Sequence, residues 1–236
     1  MLLQIQNISK RFGGLTALQT LSCELERNAI VGLIGPNGAG KTTLFNCISG
    51  FFRPESGRVL FDDLDVTGMR PDLICHRGIA RTFQNVKSFG DMTVLDNVLV
   101  GSFVPAQSKA EARSIAVDTL RFVGLLDRAY DLARDLTLGN RKRLELARAI
   151  ATKPRLLLLD EVMAGLNATE LQQMLVLLRE LNESGVAILL IEHIMAAVME
   201  ISQKVIVIHH GEKIAEGTPQ EVSMNETVIE AYFGGK

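Results

Sequence analysis

Nine residues, Gly35-Pro-Asn-Gly-Ala-Gly-Lys-Thr-Thr43, concentrate the most specific chemistry in this sequence. They fit the spacing G-x-x-x-x-G-K-[ST] and stand where that spacing has meaning: an apolar run (29–34, AIVGLI) precedes them and a helix-like stretch from Lys41 to Ser49 follows. Glycines let the main chain curl closely round an anion so that successive N–H groups point inward, and the positive end of the next helix adds to that field. Lys41 is placed to reach the β- and γ-phosphates of a nucleotide, and the Thr42 hydroxyl to ligate Mg²⁺. Gly35, Pro36, Asn37, Gly38, Ala39, Gly40, Lys41, Thr42 and Thr43 are therefore candidate phosphate-binding residues. The alternative, an ordinary glycine turn, accounts for neither the Lys-Thr pair nor both flanks.

A second group lies at Leu156 to Asp160, followed by Glu161. An apolar strand there delivers two carboxylates to its C-terminal end, where open α/β sheets bind ligands. Asp160 would orient Mg²⁺, directly or through water, and Glu161 would polarise a water attacking a γ-phosphate. Acidic residues commonly end strands, so this pair gains its meaning from the phosphate loop. Phosphoryl transfer needs little beyond such positioning and charge stabilisation.

The elements that must hold these residues follow from the apolar patterning. Leu21, Cys23 and Leu25 alternate with polar neighbours, as in a strand with one wet face. Continuous apolar runs at 29–34, 155–160, 186–191 and 204–208, with 58–62, read as further strands, most of them buried on both faces. From about 92 to 152 helical spacing dominates: Ile115, Leu120 and Val123 form one face, and Leu144, Ala147 and Ala151 another, with Arg141, Lys142, Arg143, Glu145 and Arg148 mostly outside it. The stretch 101–109 reads as a loop. Asn167 with Glu170 is a capping box opening a helix that carries Leu171, Met174, Leu175, Leu178 and Leu181 and ends at Gly185. Strands alternating with helices imply a mostly parallel sheet covered on both sides.

Composition narrows the classes. The 236 residues carry 25 Lys+Arg against 27 Asp+Glu, a net charge of −2, and 47% of them are hydrophobic. That is a folded chain without the basic surface of a nucleic-acid coat. The cluster Arg141-Lys142-Arg143 accordingly reads as a solvated helix face. No apolar run approaches the roughly 18 residues of a membrane span, and Gln4, Gln6 and Asn7 stand where a signal peptide would be apolar, which predicts a soluble, intracellular chain. Cys23, Cys47 and Cys75 lack metal-ligand spacing and read as reduced thiols.

The phrases RFGGLTAL (11–18), LIGPNGAGKTTLFNCISGFFRPESG (33–57), RTFQN (81–85), MTVLDNV (92–98), LELARAIATKP (144–154), LLLLDE (156–161), AGLN (164–167), LLIEH (189–193) and AEGTP (215–219) together resemble, over nearly the whole chain, the ATP-binding subunits of ABC transporters. The likeness is greatest to the branched-chain amino acid uptake type. It implies an α/β fold: one cassette over 1–236 with a P-loop NTPase core, a mostly parallel sheet, an antiparallel β portion near the N-terminus and an inserted helical subdomain at about 88–153.

The resemblance also implies roles. Phe12 resembles the aromatic that stacks on adenine; the alternative for this residue is plain core packing. Gln84 resembles the glutamine that touches Mg²⁺ and the attacking water, and His193 the switch histidine that contacts the γ-phosphate. Glu161, His193, Gln84 and Lys41 would then be catalytic, and Thr42, Gln84 and Asp160 metal ligands. Leu136-Thr-Leu-Gly-Asn140 aligns with the signature loop, where Thr137, Gly139 and Asn140 would close over the nucleotide of a second ATP-binding subunit. Leu138 and Asn140 depart from the common L-S-G-G-Q, Val162 replaces a usual Pro, and Ile194 a frequent Asp. Asn167 is both helix cap and candidate subunit contact in the D-loop.

The implied function is ATP hydrolysis, with ATP and Mg²⁺, powering amino acid import. The implied partners are transmembrane permease subunits docked near Gln84 and 85–91, a second ATPase subunit and, indirectly, an extracytoplasmic solute-binding protein, with no nucleic acid. The implied location is the cytoplasmic face of the cell membrane. Urea, amide or aromatic acid uptake and lipopolysaccharide export are alternatives within the family. A soluble non-transport ATPase and a nucleotide-binding regulatory subunit are alternatives of another class.

Overall fold

A computed structural model describes residues 1–83 and 88–233. The chain opens on two long strands, β1 (Leu3–Phe12) and β2 (Leu15–Leu25), then β3 (Ile30–Ile34), helix α1 (Lys41–Ile48), β4 (Ser56–Phe61), β5 (Leu64–Asp65), α2 (Pro71–His76) and β6 (Ile79–Arg81). Three helices follow, α3 (Val94–Ser102), α4 (Lys109–Phe122) and α5 (Leu138–Ile150). Strand and helix then alternate through β7 (Leu156–Asp160), α6 (Ala168–Glu183), β8 (Ala187–Ile191), α7 (Met195–Ile201), β9 (Lys204–His209), β10 (Glu212–Gly217), α8 (Pro219–Ser223) and α9 (Glu226–Phe233).

Two sheets result. One is antiparallel, in the order β2-β1-β4-β5, and here Leu21, Cys23 and Leu25 point inward as their alternation requires. The other runs β10-β9-β3-β8-β7-β6, parallel from β9 to β6 with β10 antiparallel at its edge. All five residues of β3, β7 and β8 are buried. The reason is that successive side chains serve two cores. Leu157, Leu159, Ile188, Leu190, Val205 and Val207 pack on the side of helices α3 to α7, whereas Leu156, Leu158, Leu189, Ile191, Ile206 and Ile208 pack towards α1 and the antiparallel sheet. Strand β3 lies between β8 and β9, where the strand order reverses, so the loop that leaves it opens onto a crevice.

The helical stretch between β6 and β7 is built by local capping. Thr93, Ser108 and Thr137 each accept a backbone N–H at the start of α3, α4 and α5. Gly101 and Ser102 end α3 instead of opening the loop, with Ser102 Oγ donating to the Val98 carbonyl at 3.0 Å. The expected solvated face of α5 needs correction. Lys142 and Glu145 are only 3% and 6% exposed. Their charges are met by main-chain groups from other segments, Lys142 donating to the Glu161 carbonyl at 2.9 Å and Glu145 accepting from the Phe83 N–H at 2.8 Å. The three cysteines are unpaired, and among the described residues no helix is long and apolar enough to cross a membrane.

Candidate nucleotide site

The phosphate loop leaves β3 on glycines that no other residue can replace. Gly35 has φ 151°, and a Cβ there would lie 2.0 Å from the Ile208 carbonyl oxygen; Gly40 has φ 107°, and its Cβ would lie 2.4 Å from that of Ala17. Gly40 caps α1 without a side-chain bond, and the first turn of α1 holds no acidic residue, so its N–H groups face the crevice unopposed. Lys41, almost fully buried, folds back over the loop and donates to the carbonyls of Gly35 and Pro36 at 2.6 and 3.0 Å. Burial pushes its ammonium pKa down, while the nearby Glu161 and Asp160 carboxylates pull it up.

Beside the loop lies a cleft of about 730 Å³. Asn37 to Thr43 form its floor, Glu161 and His193 line one part, and Phe12, Leu15, Thr16, Ala17 and His210 complete the wall. Phe12 is 43% exposed, with its ring edge-to-face on Phe52 at 5.2 Å and the Lys10 ammonium 5.3 Å from its centre. It is a rim residue of the cleft and not part of either core. His210 was not anticipated. It sits at the β9–β10 turn, with a left-handed φ of 48°, beside Gly211, whose N–H donates to Ala39 in the phosphate loop at 3.0 Å. A histidine next to a turn glycine carries no signal for nucleotide contact in sequence; only the fold brings that turn to the loop.

The carboxylates arrive as the strand register dictates. Asp160 pairs with Ile191 across β7 and β8, so Glu161 and Glu192 leave adjacent strand ends. Asp160 is 1% exposed. Its Oδ2 takes a 2.9 Å ion pair from Arg81, while its buried Oδ1 has no hydrogen-bond partner among the described residues. Burial raises the Asp160 pKa against the pull of Arg81. Arg81 in turn donates to Asn46 Oδ1 and Ser49 Oγ at 2.6 and 3.1 Å, so it ties β6 to α1 and β7. The Thr42 hydroxyl on the cleft lining and the spare buried oxygen of Asp160, which is not itself among the lining residues, are hard donors of the type that suits Mg²⁺. Glu161 has a left-handed φ of 53°, and its Oε1 lies 2.9 Å from His193 Nε2.

Not every candidate reaches this cleft. Thr137 caps α5 by accepting the Asn140 N–H, and Gly139 packs so closely that an added Cβ would lie 2.4 Å from Glu170 Oε1. Neither these residues nor Asn140 line the cleft of their own chain. Leu138 lies over Gly165, whose Cβ would meet its Cδ2 at 2.9 Å. The Asn167–Glu170 capping box forms as read. Gln84 and residues 85–87 of the expected permease-docking segment lie outside the described residues.

Comparison with known proteins bears on the family and the fold. The ABC transporter family model matches residues 18–164, and the model for branched-chain amino acid ATP-binding cassette transporters matches 212–236. The chain is 42% identical over 251 aligned positions to the high-affinity branched-chain amino acid transport ATP-binding protein LivG of Escherichia coli (strain K12), covering 99% of this chain and 98% of that one. It is 41% identical over 249 positions to BraF of Pseudomonas aeruginosa, a protein described in the same words, with 99% and 98% covered. The structure superposes with a TM-score of 0.91 on a nucleotide-free ATP-binding cassette from an ABC transporter, at 32% identity over 99% of both chains. A phosphate loop at the switch point of such a sheet, two carboxylates at the next strand end but one, and near full-length likeness lead to one conclusion: the chain belongs to the ABC transporter family and is one of its ATPases.

Proposed function

We propose that this ATPase powers the import of branched-chain amino acids through a separate membrane permease. The observation that carries the catalytic part is the convergence of Lys41, Thr42, Glu161 and His193 on one cleft at the ends of β3, β7 and β8. The match of the C-terminal segment to the branched-chain cassette model, and the relatives named for that transport, support the cargo.

In this reading the amides of Gly35 to Thr43 and the Lys41 ammonium hold the β- and γ-phosphates, and Phe12 stacks on adenine. Lys41 exchanges the Gly35 and Pro36 carbonyls for phosphate oxygens. Thr42 and Asp160 would hold Mg²⁺, with Gln84 as a further oxygen donor; bound there, the ion offsets charge on the phosphates. Glu161 takes the proton of the attacking water, and His193, hydrogen-bonded to Glu161 in this structure, orients that carboxylate and then meets the γ-phosphate. Because Thr137, Gly139 and Asn140 are not among the residues lining their own cleft, a second ATPase subunit, either another copy or a sister chain, would receive them, giving two composite sites. The helical region 88–153 acts as a subdomain that moves with the permease, and the chain works at the cytoplasmic face of the membrane, supplied by an extracytoplasmic binding protein.

Steady-state hydrolysis of Mg-ATP tests the chemistry. Glu161→Gln should lower kcat by about 10²- to 10⁴-fold while ATP still binds. Unchanged turnover would remove Glu161 from its role. Uptake of labelled leucine, isoleucine or valine into cells lacking the gene tests the cargo, with wild-type uptake as the refuting result.

A further inference from the structure

The general base stands on a turn that its own residues hold weakly. Glu161 has left-handed backbone torsions, and the Ala164 N–H closes the turn on the Glu161 carbonyl at 3.3 Å. Val162, the second residue of that turn, does not restrict φ as a proline would. Two buried ionisable side chains bond to main-chain groups of the same turn. Lys142, 3% exposed, donates through Nζ to the Glu161 carbonyl at 2.9 Å, and Glu192, 1% exposed, accepts the Met163 N–H on Oε1 at 2.7 Å. Burying ionisable groups is costly unless each finds a hydrogen-bond partner, and the main-chain groups of this turn are those partners. Lys142 belongs to the first turns of α5, the helix capped by Thr137, while Glu192 immediately precedes His193.

We propose that Lys142 and Glu192 are positioning residues that clamp the Glu161–Ala164 turn, with Lys142 passing the placement of the Thr137–Asn140 loop to the general base of the same chain. A loop engaged by a second subunit's nucleotide would then set the geometry of its own chain's carboxylate. The clamp acts on main-chain atoms, so it moves the base without touching ATP.

This inference rests on Glu161 being the base, and the test separates the two. Lys142→Met keeps the aliphatic stem and removes the donor, and Glu192→Leu removes the acceptor. Each should lower kcat by about 10- to 100-fold, with ATP affinity and KM within about 3-fold of wild type. Glu192→Gln retains an acceptor, and Lys142→Arg a donor, so both should recover most of the loss. Calorimetric ATP binding and the Tm of each variant report whether the fold survives. If Glu161→Gln is inactive while Lys142→Met and Glu192→Leu keep wild-type kcat, the clamp is refuted and the base stands. If Glu161→Gln itself turns over normally, the base assignment goes, and the clamp with it. An equal fall for the conservative and the disruptive variants, or a parallel loss of ATP binding, would also refute the clamp in favour of bulk structure.

Discussion

Lys41 donates to two carbonyls of its own loop, so a triphosphate must displace main-chain partners rather than water. Lys41→Ala therefore removes a charge-assisted contact worth about 3 kcal/mol, and ATP affinity measured by calorimetry should fall by about 100-fold or more. Phe12 gives a milder case. Its ring is exposed at the cleft rim, and loss of base stacking in Phe12→Ala should raise KM by about 10-fold with kcat unchanged. ATP and GTP should suffer alike, because every base offers a π-face. The type of Lys41 was legible in sequence because phosphate chemistry demands it at fixed spacing, whereas Phe12 was suggested only by the family resemblance. Lys142, Glu145 and Glu192 were not legible, since a charged residue reads as wet until the main-chain group it serves is known. Those groups, at Glu161, Phe83 and Met163, come from other segments of the chain.

Among the elements, the parallel strands were the clearest, because burial on both faces leaves an unbroken apolar run. The N-terminal antiparallel strands were clear only in part: β1 shifts register against β2 at several points, which breaks the alternation a reader would follow. The three-residue β6 is too short to show a period, and the short helices α2 and α8 are marked by a proline in the first turn and, in α8, by the Thr218–Glu221 capping box rather than by an apolar face. Helix α6 was legible through its capping box, and the same box makes a prediction. Asn167→Ala removes the acceptor for the Glu170 N–H and should cost about 1 kcal/mol, lowering Tm by about 2–4 °C in a thermal scan. A much larger fall in ATPase activity than in stability would show that Asn167 also serves as a subunit contact.

For the molecule as a whole, Glu192 sets a pH dependence. Burial pushes its pKa from 4.5 up to about 7, against the charge of Lys142 and the Met163 and His193 N–H groups, with Glu161 adding to the rise. Between those values the folded chain keeps a proton that the unfolded chain releases, so stability falls as pH rises through the window, and the full loss, on the order of 3 kcal/mol, is reached above it. Glu192→Gln should flatten that slope in denaturant titrations between pH 5 and 8, and should stabilise the protein most at the alkaline end. Assembly has its own test: with ATP and Glu161→Gln blocking hydrolysis, the elution mass should double if the chain pairs with itself. One backbone junction has a practical use. The turn after His210 bonds to Ala39 through Gly211 N–H, and Gln19 N–H bonds back to the Gly211 carbonyl, so three distant stretches of chain meet at one glycine. A dye on exposed Glu212 would therefore report occupancy of the cleft from outside it, an optical gauge that leaves every reacting group untouched.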